Sequence, residues 1–155
     1  MIYVRSATAD DLPALMEMLV EFHAENGLFA LDMDRTVATV HDILRRGLIF
    51  LAFDGHDLVG TLAIAPAQVW YSSEIFLEEC WMYVRPRARR STALLKMLRR
   101  AMRVADDKGW PITFQVVTAT DLDRKSRPFR RMEHVGRVFL RRAHHDMQVA
   151  DERRA

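Results

Sequence analysis

Apolar and polar positions along the chain change period several times, and each change marks an element. Ile2 to Arg5 reads as a short strand. Leu12, Leu15, Met16, Leu19 and Phe22 then recur at helical spacing, which predicts a first helix ending near Asn26 and Gly27. Thr8 is its expected N-cap, and Asp10 and Asp11 in the first turn complement the helix dipole. Val37, Val40, Ile43 and Leu44 give a second helix from Asp34 to Arg46, closed by Gly47. Leu48–Phe53 and Leu58–Ile64 are apolar runs on either side of Asp54-Gly55-His56-Asp57, and Asp-Gly in that setting predicts a hairpin. Pro66 ends the return strand, and Glu74 to Val84 is a longer strand that pairs with it.

The most informative stretch follows. Leu94, Leu98, Ala101, Met102 and Ala105 form the buried face of a long helix. It opens after a turn containing Pro86, with Ser91 or Thr92 as cap, and stops at Gly109, Trp110 and Pro111. Beyond it, Ile112–Val117 reads as a strand, Thr118–Arg127 as a polar loop, Pro128–His134 as a short helix and Val138–Leu140 as a last strand. The order is β-α-α-β-β-β-α-β-α-β, an α/β (α+β mixed) class with a mixed central sheet flanked by helices. The hairpin region is expected to be antiparallel. The strands before and after the long helix are expected to be parallel, joined by a right-handed crossover. One domain spans residues 1–143, and residues 144–155 form a charged tail.

Composition narrows the picture modestly. The 155 residues are 50% hydrophobic and 28% charged, the mix of a soluble globular protein. A net charge of +2 gives no global argument for nucleic acid. The single cysteine, Cys80, excludes an internal disulfide and fits a reducing compartment. No segment carries the ~18 apolar residues of a membrane span, and the acidic N-terminal stretch lacks a signal-peptide layout. A cytoplasmic protein with no membrane partner is the expectation.

Local charge is more telling. Arg85, Arg87, Arg89, Arg90, Lys96, Arg99, Arg100 and Arg103 follow one another with no acid between them. A strand end, a turn with free N–H groups, a helix N-terminus and these bases together make an anion site, for which phosphate is the natural ligand. The plainer alternative is a strand–helix connection with a solvated basic face.

The same order and the same stretch resemble the GCN5-related N-acetyltransferases, the GNAT superfamily of acyl-CoA-dependent acyltransferases. IYVRSATADDLPAL looks like that family's first strand and helix, and FLAFDGHDLVGTLAI like its second and third strands. WMYVRPRARRSTALLKML resembles its pyrophosphate-binding stretch, in which a strand ends in Val-x-Pro and Arg-x-x-Gly-x-Gly/Ala follows. The resemblance runs to about Arg142. It implies a GNAT-like fold, acetyl-CoA as co-substrate without a metal, and a small-molecule or protein amine as acceptor, with dimers common in the family. Val84 and Pro86 match the strand end and Arg89 the leading arginine. Thr92 and Leu94 stand where the glycines would be. Arg90, Ser91, Thr92 and Ala93 look more like the Arg-x-Ser-x-Ala of divergent, phage-like members. Met82, Tyr83, Val84, Arg89, Arg90, Ser91, Thr92, Ala93 and Leu94 are the cofactor-binding residues so implied, with Lys96 or Arg99 reaching the 3′-phosphate.

Acyl transfer to an amine needs a base for the ammonium proton, a donor for the thioester oxygen and a route out for the thiolate. Glu78 and Glu79 are the candidate bases, facing opposite sides of the sheet. Glu79 is favoured because phage-like relatives often place a glutamate five residues before the strand end. A salt-bridging glutamate is the competing reading. The oxyanion donor would be an N–H near Tyr83 or Val84. Many family members protonate the thiolate with a tyrosine of the last helix; the matching residue here is Phe129, which cannot, and His134 and Tyr83 are the substitutes considered.

Other candidates carry weaker chemistry. Cys80 reads as a buried core thiol. His144, His145 and Asp146 lack a complete ligand set. Trp70 and Tyr71 line an acceptor pocket or pack partly buried on the sheet. Met16, Met18, Met97 and Met102 fill the core. Two alternatives stand beside the acetyltransferase reading: a GNAT-like CoA-binding or partner-binding module that has lost catalysis, and, ranked last, a nucleic-acid binder using the basic stretches.

Overall fold

A computed structural model of the protein describes residues 1–118, 121–136 and 139–140. A five-stranded sheet runs in the order β1-β2-β3-β4-β5. The strands are β1 (Ile2–Ser6), β2 (Leu48–Asp54), β3 (Asp57–Ala67), β4 (Phe76–Val84) and β5 (Ile112–Thr113). The first four pair antiparallel, and β4 and β5 pair parallel. Helices α1 (Leu12–Asn26) and α2 (Met33–Arg46) cover one face, α3 (Ala93–Lys108) covers the other, and α4 (Leu122–Ser126) follows β5.

Two cores result. Phe50, Leu62, Ile64, Leu77, Met97 and Leu98 pack between the sheet and α3. Leu15, Met18, Val40, Ile43, Leu51 and Trp81 pack beneath α1 and α2. With both faces covered, every residue of β3 from Leu58 to Ala65 is buried, which is why it reads as an unbroken apolar run. The free edge of β1 is blunted by α3: Lys96 donates to the Ile2 carbonyl and Arg100 to the Val4 carbonyl at 3.2 Å. Lys96 is thus committed to the first strand and does not reach the candidate anion site.

Thr61 is fully buried, and its hydroxyl accepts from the Trp81 indole N–H at 3.2 Å. Thr61→Val would leave that indole donor unpaired in the core. We expect it to lower stability by about 1–3 kcal/mol in urea titration. Thr61→Ser should restore most of the loss; equal costs for the two variants would mean that packing, not the hydrogen bond, dominates.

The hairpin turn, α2 and α3 lie within a residue or two of their expected positions, but β3 continues to Ala67 through Pro66, the residue expected to end it, and Thr8 precedes a 3-10 turn, Ala9–Asp11, so that α1 begins at Leu12. The region after α3 departs further. The strand expected over Ile112–Val117 is only Ile112–Thr113. The expected polar loop contains α4, and the helix expected from Pro128 to His134 is a 3-10 turn, Arg127–Phe129. Phe139 and Leu140 lie outside any strand, while Val138 and the tail with His144, His145 and Asp146 fall outside the described residues. Val116 and Val117 have strand propensity, but among the described residues no neighbouring strand pairs with them.

Candidate functional site

The site begins with a disagreement between two strands. β4 and β5 pair only at Leu77↔Ile112 and Glu78↔Thr113, then diverge. The gap is a cavity of about 710 Å³. Residues Glu79 to Val84 line one wall and Gln115 to Thr118 the other. The C-terminal turn of α1, with Phe22, Glu25 and Asn26, closes one side, and Arg124, Lys125 and Arg127 close another. Pro86, Arg89, Arg90 and Leu94 lie at the end where β4 turns into α3.

A β-bulge in β4 decides what faces this cavity. Ala63 pairs with Trp81 and Ile64 with Glu79, so Cys80 is an extra residue. The extra residue changes the parity of the strand. Leu77 packs on the α3 side, and beyond the bulge it is Met82 and Val84 that do so, while Trp81 and Tyr83 face α1 and α2. Backbone direction follows the same logic. The Arg85 N–H returns to the Val59 carbonyl of β3 at 2.9 Å, and alternation along the strand turns the Val84 and Met82 N–H groups to the open side. The candidate oxyanion donors are therefore Val84 and Met82, whereas the Tyr83 N–H points into the sheet.

Glu79 is the buried acid of this cavity, 8% exposed. One carboxylate oxygen accepts from the Gln115 N–H at 3.1 Å. Burial, with a smaller push from the Glu78 charge, raises its pKa to about 7 despite that hydrogen bond. Glu78 is half-buried and accepts from the Gln115 side-chain amide at 2.8 Å. Of the two candidate bases, Glu79 alone lines the cavity. Cys80 is exposed on the bulge, not in the core as expected, and partial desolvation together with the two glutamates pushes its thiol up to about 11. It is a protonated bystander.

The turn and the first residues of α3 present backbone donors selectively. The N–H groups of Arg89, Ser91 and Ala93 are taken by the Pro86 carbonyl, the Ala88 carbonyl and the Ser91 hydroxyl. Those of Arg90, Thr92, Leu94 and Leu95 have no acceptor among the described residues. Ser91 supplies the side-chain cap and Thr92 supplies none. Of the implied cofactor-binding set, Ala93 is buried with its N–H satisfied, so it contributes packing and not a donor.

The arginines are less available than the sequence suggests. Arg85 pairs with both oxygens of Glu21, at 2.7 and 2.9 Å, and Arg87 with Asp57 at 3.3 Å. Arg89 binds Glu25, donates to the Val84 carbonyl at 3.0 Å and lies 5.8 Å from the Tyr83 ring centre. Glu25 also accepts from Lys125 at 3.1 Å. These cations hold the Glu25 carboxyl below the usual range against the opposing effect of burial. Lys125 donates further to the Asn26 side-chain carbonyl at 2.6 Å and to the Thr118 hydroxyl at 2.9 Å. Sequence reading missed Glu25, Asn26, Gln115 and Lys125. One signal was present: Glu21 and Glu25 repeat at i, i+4, as do Arg85 and Arg89, so two matched pairs clamp α1 to the turn after β4.

Phe129 packs on Phe114, with ring centres 5.2 Å apart, and joins the α3 core. His134 is exposed and does not line the cavity. Trp70 and Tyr71, 95% and 73% exposed, project from the β3–β4 connection outside the cavity and are neither pocket-lining nor packed on the sheet. Among the described residues, no group of three His, Cys, Asp or Glu side chains could hold a metal ion, and no helix is long and apolar enough to cross a membrane.

No family model matches the chain, and no curated protein matches it in sequence. Solved structures do match in fold. The aminoglycoside 6′-N-acetyltransferase AAC(6′)-IG from Acinetobacter haemolyticus superposes with a TM-score of 0.70 at 16% identity, over 91% of this chain and 98% of that one. A protein from Clostridium acetobutylicum described as a predicted acetyltransferase, crystallised with acetyl-CoA, gives 0.70 at 18% identity, over 91% and 96%. The ribosomal-protein-alanine N-acetyltransferase from Brucella melitensis biovar Abortus 2308 gives 0.68 at 13% identity, over 92% and 99%. Over nearly its whole length, then, the chain has the fold of acetyltransferases, the GNAT-like fold that its sequence resembles.

Proposed function

We propose that the protein is an acetyl-CoA-dependent N-acetyltransferase in which Glu79 is the general base. The observation that carries this reading is a buried carboxyl at the point where two parallel strands part, with its pKa raised to about 7. A base of that strength is half-ionised near neutrality and takes a proton from an ammonium without holding it too tightly. The unpaired amides of Arg90, Thr92, Leu94 and Leu95 suit a pyrophosphate at the start of α3. The Val84 and Met82 N–H groups suit the thioester oxygen. Arg89, held in place by Glu25, has donors left over for phosphate. Arg90 is exposed beside the same amides and adds charge.

The acceptor is proposed to be a small-molecule or protein amine, as the matched structures span an aminoglycoside acetyltransferase and a ribosomal-protein acetyltransferase. A cytoplasmic location and a homodimer are part of the same proposal. One observation favours a second reading, a CoA-binding module without turnover: Phe129 is a partly buried ring stacked on Phe114, with no proton to give. Thermal denaturation with acetyl-CoA tests the shared premise. Saturating ligand at 100 times its Kd should add about 2.7 kcal/mol of stability and raise the melting temperature. No shift at millimolar acetyl-CoA would remove both readings. Thiol release above hydrolysis with any amine would reject the second.

A further inference from the structure

The acetyltransferase reading leaves one charge unassigned. When the amine nitrogen adds to the thioester carbon and the C–S bond breaks, the electron pair of that bond goes to sulfur. The nitrogen loses two protons, one before attack and one on collapse, each through Glu79 to water. Sulfur gains one from solvent after release. Until then a thiolate sits in the cleft and needs a partner.

The groups lining the cavity decide which. Phe129 does not line the cavity and has no proton to give, and Tyr83 is packed edge-on to Phe22 under the Arg89 guanidinium. Burial raises the Tyr83 hydroxyl above its ordinary value, and it is a poor acid for a thiolate. Arg89 has donors left over, but Glu25 and the Val84 carbonyl hold it at the start of α3, where those donors are assigned to phosphate. Lys125 remains. It lies on α4, across the gap from the open edge of β4, and its side chain is 19% exposed. A continuous chain fixes its place. The ammonium binds Glu25, Glu25 binds Arg89, and Arg89 binds the carbonyl of Val84, whose own N–H faces the gap. The Asn26 carbonyl, itself buried, and the Thr118 hydroxyl aim the ammonium from the other side. Among these contacts the one to Glu25 is the longest, at 3.1 Å, and Glu25 keeps Arg89 if Lys125 turns away.

We infer that Lys125 is a catalytic residue that receives the departing CoA thiolate through a charge-assisted hydrogen bond. The charge-assisted contact stabilises the thiolate until solvent supplies its proton. The other charged groups round this part of the cavity are Arg89, Arg124, Arg127, Glu25 and Glu79. All of them remain when Lys125 alone is changed.

The test reads the thiol of bound CoA by its ultraviolet thiolate absorbance across a pH series. The protein's one cysteine is silent over most of that range, with its thiol pushed up to about 11. Wild-type protein should lower the thiol pKa of bound CoA by about one unit or more relative to free CoA. Lys125→Met should return it to the free value and reduce kcat about tenfold to a hundredfold with little change in acetyl-CoA KM. Lys125→Arg, which keeps charge and tethers, should hold most of the lowered value and serves where Lys125→Met does not fold. Bound CoA that titrates like free CoA in wild type, or identically in wild type and Lys125→Met, overturns the assignment. Absence of CoA binding overturns the acetyltransferase reading along with it, whereas binding with a titration indifferent to Lys125 overturns the assignment alone.

Discussion

Glu79→Gln should reduce amine acetylation about 10²–10⁴-fold while leaving acetyl-CoA affinity nearly unchanged. Glutamine fills the same volume, and its carbonyl can still accept from the Gln115 N–H. What it lacks is basicity. The pH profile supplies an independent check. Glu79 must be ionised to act, so wild-type kcat should rise with pH through about 7, the value to which burial lifts this carboxyl. The variant's residual rate should lose that rise. Stability should move the other way. A carboxyl whose folded pKa is raised favours the fold below its unfolded value and loses that advantage as pH climbs through the folded one. Between pH 4.5 and about 7, wild type therefore gives up stability that Glu79→Gln keeps. At 1.36 kcal/mol per unit this reaches about 3 kcal/mol above pH 8, so the variant should melt higher than wild type there and match it near pH 4. A variant that loses activity but gains no alkaline stability would point to a salt-bridging glutamate instead.

Arg89→Ala should weaken acetyl-CoA by about tenfold to a hundredfold in calorimetric titration. The guanidinium sits beside the unpaired amides at the start of α3, where one charged hydrogen bond to phosphate is worth about 1.5–3 kcal/mol. Its contact with Glu25 does not consume it, because the fork has donors beyond the two used on Glu25 and Val84. Thr92→Gly provides the contrast. Thr92 supplies no side-chain cap, so its loss costs the helix only a fraction of a kcal/mol, while removing a side chain from beside an unpaired N–H. Affinity should hold or improve. An unchanged Kd in Arg89→Ala would end the pyrophosphate assignment, and a large loss in Thr92→Gly would mean that the hydroxyl, not the backbone, meets the ligand.

The frame of the fold is written in local pattern. Leu98, Ala101 and Ala105 at helical spacing, the Asp54-Gly55 turn between apolar runs and the Gly109 stop are local statements, written in side-chain volume and backbone freedom. Each was legible because it involves residues close in the chain. Glu79 also stood out, as an acid in an apolar strand. The remaining features come from contacts between distant parts of the chain. The bulge at Cys80 set which of Met82, Tyr83 and Val84 face each side, and a register shift has no signature in the strand's own pattern. Pairing of Arg85 and Arg89 with Glu21 and Glu25, 64 positions away, turned an apparent field of free arginines into a clamp. Lys125 joined the site only because α4 folds back onto Asn26, 99 positions earlier. The pKa of Glu79 belongs to the cavity and not to the residue, since burial and the Gln115 N–H exist only once β5 lies beside β4.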